Sequence, residues 1–282
     1  MTDRLSEAET VQYLLMQSID QDCEVDPHKN IEYPPVALSF GYKTMKTQQG
    51  NMRLPIPIGT YGNFSFIQAP PKTKKTFLVS LLVSIYLGSK NHFGGEILGH
   101  RDNKDVIHID TEQGQWHCQK VFKRVLNMNE IDYTKNYLTF GLRSISFKDR
   151  IKFIEYCLVH KTTNPGLLVI DGIADLCSDV NNIEESNACV QKIMEWSSVY
   201  NIHIICVIHS NFGNDKPTGH LGSFLEKKTE TQIQLEANTI NKEWITVKCK
   251  RSRGYAFETF SFKVNDIGYP EIIGDLYDPL SD

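Results

Sequence analysis

The sequence predicts an α/β domain with a mostly parallel central sheet flanked by helices, closed by antiparallel strands at its C-terminal end. Three observations carry this prediction. From Gly59 onward, short apolar runs alternate with longer segments of helical spacing, the pattern of strands joined by crossover helices. Leu167-Leu168-Val169-Ile170-Asp171 is apolar at consecutive rather than alternate positions, as a strand covered on both faces must be. Past residue 230 the helical spacing stops, and three strand-like segments follow closely enough to pair as hairpins.

Taken in order, residues 5–20 carry Val11, Leu14, Leu15 and Ile19 at helical spacing, with Ser6 placed three residues before Glu9 as a cap would be. From Gln21 to Pro57 the chain is polar and interrupted by Pro27, Pro34, Pro35, Gly41, Gly50, Pro55 and Pro57. That stretch leaves room for one short strand, 36–40. Residues 1–58 are therefore expected to be an N-terminal extension and 59–282 the main domain. Within the latter, strands are expected at 64–68, 106–110, 137–140, 167–171 and 202–208. Helices are expected at 76–87, 115–126, 148–160 and 183–200, and the closing strands at 231–236, 244–249 and 257–264.

Composition narrows the class. A net charge of -4 and a pI near 6.1 give no global attraction to phosphate, so any nucleic-acid contact has to come from a local basic patch. The seven cysteines are scattered without a C-x-x-C pair, several inside apolar runs, and read as reduced core residues of a cytoplasmic protein. No apolar run approaches the roughly 18 residues of a bilayer span, so no membrane association is expected. The histidines and cysteines match no zinc spacing, and neither a nucleophile elbow nor a dinucleotide fingerprint is present.

Between the first strand of the main domain and its helix lies Ala69-Pro70-Pro71-Lys72-Thr73-Lys74-Lys75-Thr76, which aligns with G-x-x-x-x-G-K-[ST] in placement and at its last two positions. In such a loop, amides at a helix N-terminus cradle phosphates, the lysine reaches the terminal phosphates and the hydroxyl ligates magnesium. Lys75 and Thr76 supply those side chains. Both glycines are missing, replaced by Ala69 and Lys74, and the bland reading of the segment is a basic helix start on the surface.

Three later residues occupy the strand ends that a nucleotide site needs. Glu112 follows the strand ending at Asp110 and is the candidate base for an attacking water. Asp171 ends the apolar 167–171 run in the manner of a Walker B acid and is the candidate magnesium ligand together with Thr76; Asp175 is a weaker candidate. His209 ends the next strand, where a polar group would sit between the γ-phosphate and the loop 211–220. Each has a bland alternative: an exposed acid in a turn, a capping Asp before Gly172, and a solvated strand end.

In this order the four segments resemble the RecA-like P-loop ATPases, over about residues 58–265, and within them the RepA-type and DnaB-type replicative helicase branch. The lead-in Pro57-Ile58-Gly59-Thr60-Tyr61-Gly62-Asn63 and the K-T-K-K-T ending of the loop are also similar. The resemblance implies a RecA-like P-loop NTPase fold, ATP and Mg2+ as cofactors, assembly into a ring or filament, and catalysis at subunit interfaces. It implies a cationic finger donated by the neighbour, for which Lys250, Arg251 and Arg253 are alternative candidates, a surface or DNA-contacting basic segment being the other reading. It further implies contact of the 211–220 loop with single-stranded DNA, where Lys216 and His220 offer phosphate contacts and Phe212 a stacking ring. A primase or other replication protein would be a further partner.

Three functions follow: a DNA-dependent ATPase working as motor or loader in replication or recombination, a regulatory protein that binds ATP without productive turnover, and a DNA-binding scaffold that has lost nucleotide. The retention of both Glu112 and Asp171 speaks against the third.

Overall fold

The computed structural model describes residues 6–47, 50–88, 96–211 and 215–273. By compactness the chain divides into two units, Met1–Tyr33 and Pro34–Asp282. The first carries helix α1 (Glu7–Cys23), whose opening bond runs from the Thr10 amide to the Ser6 carbonyl at 2.9 Å.

The second unit begins with β1 (Val36–Thr47), β2 (Gly50–Thr60), β3 (Phe64–Ala69), α2 (Lys75–Leu87) and β4 (Ile97–Gly99). It continues through β5 (Asp105–Asp110), α3 (Gln115–Met128), β6 (Tyr137–Gly141), α4 (Phe147–His160) and β7 (Pro165–Asp171). After a short 3-10 turn come α5 (Ile183–Val199), β8 (His203–His209), α6 (Gly219–Lys228) and β9 (Thr231–Ala237). It ends with β10 (Ile245–Ser252), β11 (Phe260–Val264) and β12 (Pro270–Ile273).

The main sheet has the order β12-β11-β10-β9-β3-β8-β7-β5-β6. From β9 to β6 every pairing is parallel, while β10, β11 and β12 are antiparallel. The continuous apolar strands are buried on both faces. In β7, Leu167 and Val169 pack toward α2 and α3, whereas Leu168 and Ile170 pack toward α4, α5 and α6. Because β3, β8, β7, β5 and β6 run parallel, their C-terminal ends lie on one edge of the sheet. Ala69 pairs with His209, and Asp110 with Asp171, so the polar ends of β3, β8, β7 and β5 share a rim.

One segment departs from the sequence-based expectation. Where a single short strand is predicted, two long ones form a hairpin in a separate sheet of order β2-β1-β4. The prolines that read as breakers are tolerated because Pro55 and Pro57 lie on β2, an edge strand, where a missing amide costs no ladder bond. Strands β4 and β12 and helix α6 are also absent from the expectation.

The two sheets are joined by a buried carboxylate. Glu230, just before β9, accepts hydrogen bonds from the Thr60 amide and the Thr60 hydroxyl, both at 2.8 Å, across 170 residues of sequence. Beneath it His203 bonds the Ser65 hydroxyl and the Thr60 carbonyl, pressed so closely on Gly59 that any Cβ there would lie 2.0 Å from the ring. Replacing Glu230 by Ala leaves the Thr60 donors buried and unpaired. It should lower unfolding free energy by about 2–3 kcal/mol, measured as a fall in urea midpoint at unchanged slope.

Candidate functional site

Ala69 ends β3 fully buried, and the chain turns through Pro70 to Lys74 before entering α2 at Lys75. The turn is closed by the Thr73 hydroxyl, which donates to the Pro70 carbonyl at 2.6 Å. Lys72 and Lys74 have φ of 66° and 58°, the left-handed region. Lys74 occupies the second glycine position of the phosphate-loop pattern, so the backbone takes the twist glycine usually supplies at a cost of roughly 1–2 kcal/mol for a side-chain-bearing residue. Its ammonium donates to the Glu243 carbonyl at 2.9 Å. No side chain caps α2 and no acid occupies its first turn, which suits the helix start to an anionic ligand.

Lys75 is 9% exposed and points back over the loop. Its ammonium donates to the carbonyls of Ala69 (3.4 Å) and Pro70 (3.2 Å) and to Nδ1 of His209 (2.9 Å). Nε2 on the other side of the His209 ring faces Glu112 Oε1 at 3.5 Å. Lys75, His209 and Glu112 thus form one chain of donors and acceptors. The bond from His209 holds the Glu112 carboxyl below its ordinary range against the effect of burial, with further help from the charge of Lys75. Burial lowers the Lys75 ammonium, opposed by the charges of Glu112 and Asp171.

Asp171, at the end of β7, accepts from the Thr76 hydroxyl at 3.0 Å. Burial pushes its carboxyl up to about 7, the charges of Asp110 and Glu112 push the same way, and the Thr76 bond and Lys75 oppose them. Asp110, not anticipated as a site residue, is the hinge of the acidic turn. One of its oxygens accepts from the amides of Glu112 (3.0 Å) and Gln113 (2.7 Å), and the other from the Gln113 side chain (2.6 Å). The signal for it is present in Asp110-Thr111-Glu112-Gln113-Gly114, where an Asp accepting from amides two and three residues on makes an Asx turn. Gly172 closes the floor: its φ is +106°, and a Cβ would lie 2.3 Å from the Thr111 hydroxyl and 2.8 Å from Cγ of Glu112. Asp175 lies outside the cluster, accepting from Thr111 at 2.8 Å beside Arg150.

The cleft bounded by these groups is about 280 Å³ and runs from Lys72 past Lys75 and Thr76 to Glu112, Asp171 and His209. Gln113, Phe77 and Arg124 also line it and carry no signal in the sequence. Arg124 lies 3.8 Å from the Phe77 ring centroid and donates to the Ser80 hydroxyl.

The remaining candidates lie elsewhere. Lys250 donates to the Asp215 carbonyl, Arg253 donates to the Lys228 carbonyl at 2.7 Å, and Arg251 is exposed on β10. None lines the cleft of its own chain. A bulge between Cys249 and Arg251 breaks the two-residue alternation that would assign these side chains to opposite faces. The loop after β8 is tied at its base, with the Thr218 amide and hydroxyl both donating to the His209 carbonyl, at 3.0 and 2.8 Å. Phe212 lies outside the described residues. Lys227 and Lys228 lie in the last turn of α6.

The residues present fit a magnesium nucleotide. Glu112 and Asp171 act on Lys75, and Asp110 adds its charge beside Asp171, a gathering of carboxylates that a divalent cation would offset. Thr76 and Asp171, already 3.0 Å apart, would supply the few protein oxygens that a magnesium ion bound with phosphates needs.

Sheet order, loop and rim together define a P-loop ATPase of RecA-like fold. A family model described as an AAA domain matches residues 59–215, more than half of the chain, and the chain belongs to that family. Among solved structures, the RadB recombinase superposes with a TM-score of 0.52 at 16% identity, over 74% of this chain and 91% of that one. At that identity the likeness is one of fold. No curated protein matches the chain in sequence.

Two outcomes follow from this geometry. Lys74→Gly relieves the left-handed strain and should leave the loop intact with stability raised by up to about 1 kcal/mol, read as a small rise in melting temperature. Asp171 holds its proton more tightly folded than unfolded, so it costs stability as pH rises from its ordinary value near 4 toward 7. Asp171→Asn should therefore melt higher than the wild type at pH 8 without nucleotide, the difference vanishing below pH 4.

Proposed function

We propose that this chain hydrolyses ATP with magnesium as a DNA-associated motor or loader in recombination or replication, acting in a ring or filament. The observation that carries the reading is the convergence of Lys75, Thr76, Glu112, Asp171 and His209 on one cleft at the mouth of a glycine-free phosphate loop.

Lys75 is held by two loop carbonyls and His209, acceptors that the terminal phosphates of ATP replace, so the lysine is oriented before substrate arrives. Thr76 and Asp171 would hold the magnesium, directly or through water, and the ion would supply positive charge to offset that of the phosphates. Glu112, half-exposed at the rim and held ionised by His209, takes the proton of the attacking water. His209 links the two, because drawing Lys75 toward phosphate removes the donor on Nδ1 and frees the ring to follow the γ-phosphate. The carbonyl of the same residue accepts both Thr218 bonds, so a displacement of the β8 end, rather than of the ring alone, would carry Thr218 with it.

Lys250, Arg251 and Arg253 are proposed as cationic fingers acting in trans, a role supported by their absence from the cleft of their own chain. Recombination is favoured by the name of the RadB structure; the RepA-type and DnaB-type helicase reading, with a primase or other replication partner, rests on the sequence resemblance. Single-stranded DNA is the proposed ligand of the loop that carries Lys216 and His220. We place the protein in the cytoplasm on its reduced cysteines; among the described residues no helix is long and apolar enough to cross a membrane. The second reading, a regulatory ATP-binding protein with weak turnover, is favoured by the strained Lys74 in place of glycine.

Steady-state ATP hydrolysis with and without single-stranded DNA separates these readings. The motor predicts turnover that rises with DNA and falls by about 100-fold or more in both Lys75→Ala and Glu112→Gln. Binding of ATP by calorimetry without turnover would establish the regulatory reading, and no binding at all would leave a scaffold.

A further inference from the structure

The hairpin that the prolines conceal has a buried root and an exposed outer half. Ala37, Leu38, Ile58 and Thr60 are buried, whereas Tyr42–Lys46 and Gly50–Arg53 are exposed. Among the described residues, the third strand of its sheet, β4, pairs with Leu38–Phe40, and the Gly41 amide donates to the Glu96 carbonyl; the pairing described beyond Gly41 is that of β1 with β2. Gly41, at φ 69° within a register shift between Ser39 and Tyr42, re-aims the strands where that support ends.

Its charge is one-sided. The chain carries no Asp or Glu between Glu32 and Glu96, although the whole protein has net charge -4. The exposed ribbon bears Lys43, Lys46 and Arg53. The guanidinium of Arg53 lies 4.5 Å from the Tyr42 ring centroid, and the Lys43 ammonium 3.7 Å from that of Tyr255. Tyr42 and Tyr255 are 43% and 45% exposed; by strand alternation Tyr42, Lys46 and the cross-strand Arg53 lie on one face of the ribbon, and Lys43, beside Tyr255, on the other, so each face pairs a cation with an accessible ring. Glu96, whose carboxylate comes against Gly41, sits at the root below this surface. Met45 faces Met52 across the strands, adding a soft, adaptable contact between the charged pairs.

We propose that the outer half of the β1–β2 hairpin is a binding arm for single-stranded nucleic acid, with Lys43, Lys46 and Arg53 on phosphates and Tyr42 and Tyr255 beside the bases. Charge complementarity selects this occupant: a protein segment would need to be strongly acidic, whereas a nucleic acid brings both the phosphates for the cations and the π-faces for the rings. The arm is separate from the loop after β8, and it rests on the nucleic-acid half of the proposed function rather than on ATP turnover.

The test is fluorescence anisotropy of a labelled single-stranded 30-mer over a range of salt, using the full chain. It compares wild type, the triple variant Lys43→Ala/Lys46→Ala/Arg53→Ala and the charge-keeping Lys43→Arg/Lys46→Arg. The triple variant should bind about tenfold more weakly or worse, with the slope of log affinity against log salt reduced by about 2, three phosphate contacts at roughly 0.7 each. The charge-keeping variant should retain both, and all three proteins should share one melting temperature. Unchanged affinity and slope in the triple variant, equal loss in the charge-keeping one, or a fall in sedimentation mass showing that the ribbon binds a second copy would each overturn the arm. No binding by the wild type would overturn DNA association as well, leaving ATP hydrolysis to stand or fall on its own assay.

Discussion

Asp171 is a carboxylate buried at the end of a parallel strand with two more carboxylates against it, and the rest of the cleft is arranged around that excess of charge. A charge in that position is tolerated only with hydrogen-bond donors or counter-charge close by, and the chain supplies one hydroxyl, Thr76, and one ammonium, Lys75. Both come from the first turn of α2, which is why the loop geometry cannot drift without exposing or stranding the acid. The order of the sheet enforces the distance. With β8 inserted between β3 and β7, the loop and the acid are one strand apart, and His209 fills the gap between them.

The glycine-free loop shows how a backbone requirement survives the loss of the residue that usually meets it. Lys72 and Lys74 both adopt left-handed φ, held there by the Thr73 bond to Pro70 and the tether from Lys74 to Glu243. The conformation is therefore set by the context on both sides of the turn rather than by local freedom, a strain of the kind stored at functional sites. The additional lysine side chains also raise the positive charge at a helix start that is already disposed toward anions.

How much of this could be read from the sequence depends on whether a residue's role is written in its neighbours along the chain. Asp171, Glu112 and His209 are legible because each follows an apolar run whose end must sit at the sheet edge. Lys75 and Thr76 are legible because a loop separates a strand from a buried helix. Asp110 hides in the same strand that advertises Glu112, since nothing local says that its oxygens turn back to the next amides. The β1–β2 hairpin hides behind Pro55 and Pro57, which break a central strand but not an edge, and edge status is a tertiary fact. Helix α6 is obscured by Gly219 and Gly222. Gly219 adopts positive φ against the Val180 carbonyl, and a Cβ at Gly222 would lie 2.6 Å from the Pro217 backbone, so both are small for packing reasons invisible in one dimension. The bulge between Cys249 and Arg251 is likewise a feature of strand pairing that the local sequence does not announce.

The two halves of His209 do different jobs, and that division ties the cleft to its surroundings. Its ring lies between Lys75 and Glu112, while its carbonyl accepts both the amide and the hydroxyl of Thr218. Rotation of the ring about its side-chain bonds need not move the backbone, but pairing of Ala69 with His209 in adjacent parallel strands means that any shift of the loop-bearing β3 end does. Gln68, buried one residue earlier in β3, donates to the Asp215 carbonyl, which also accepts from Lys250 on β10. Asp215 and Thr218 are thus held by groups rooted in the sheet: Gln68 in β3 and Lys250 in β10 on the former, His209 in β8 on the latter. A change at the phosphate loop can reach them as a rigid-body displacement of strand ends, with no need for a mobile relay through the core.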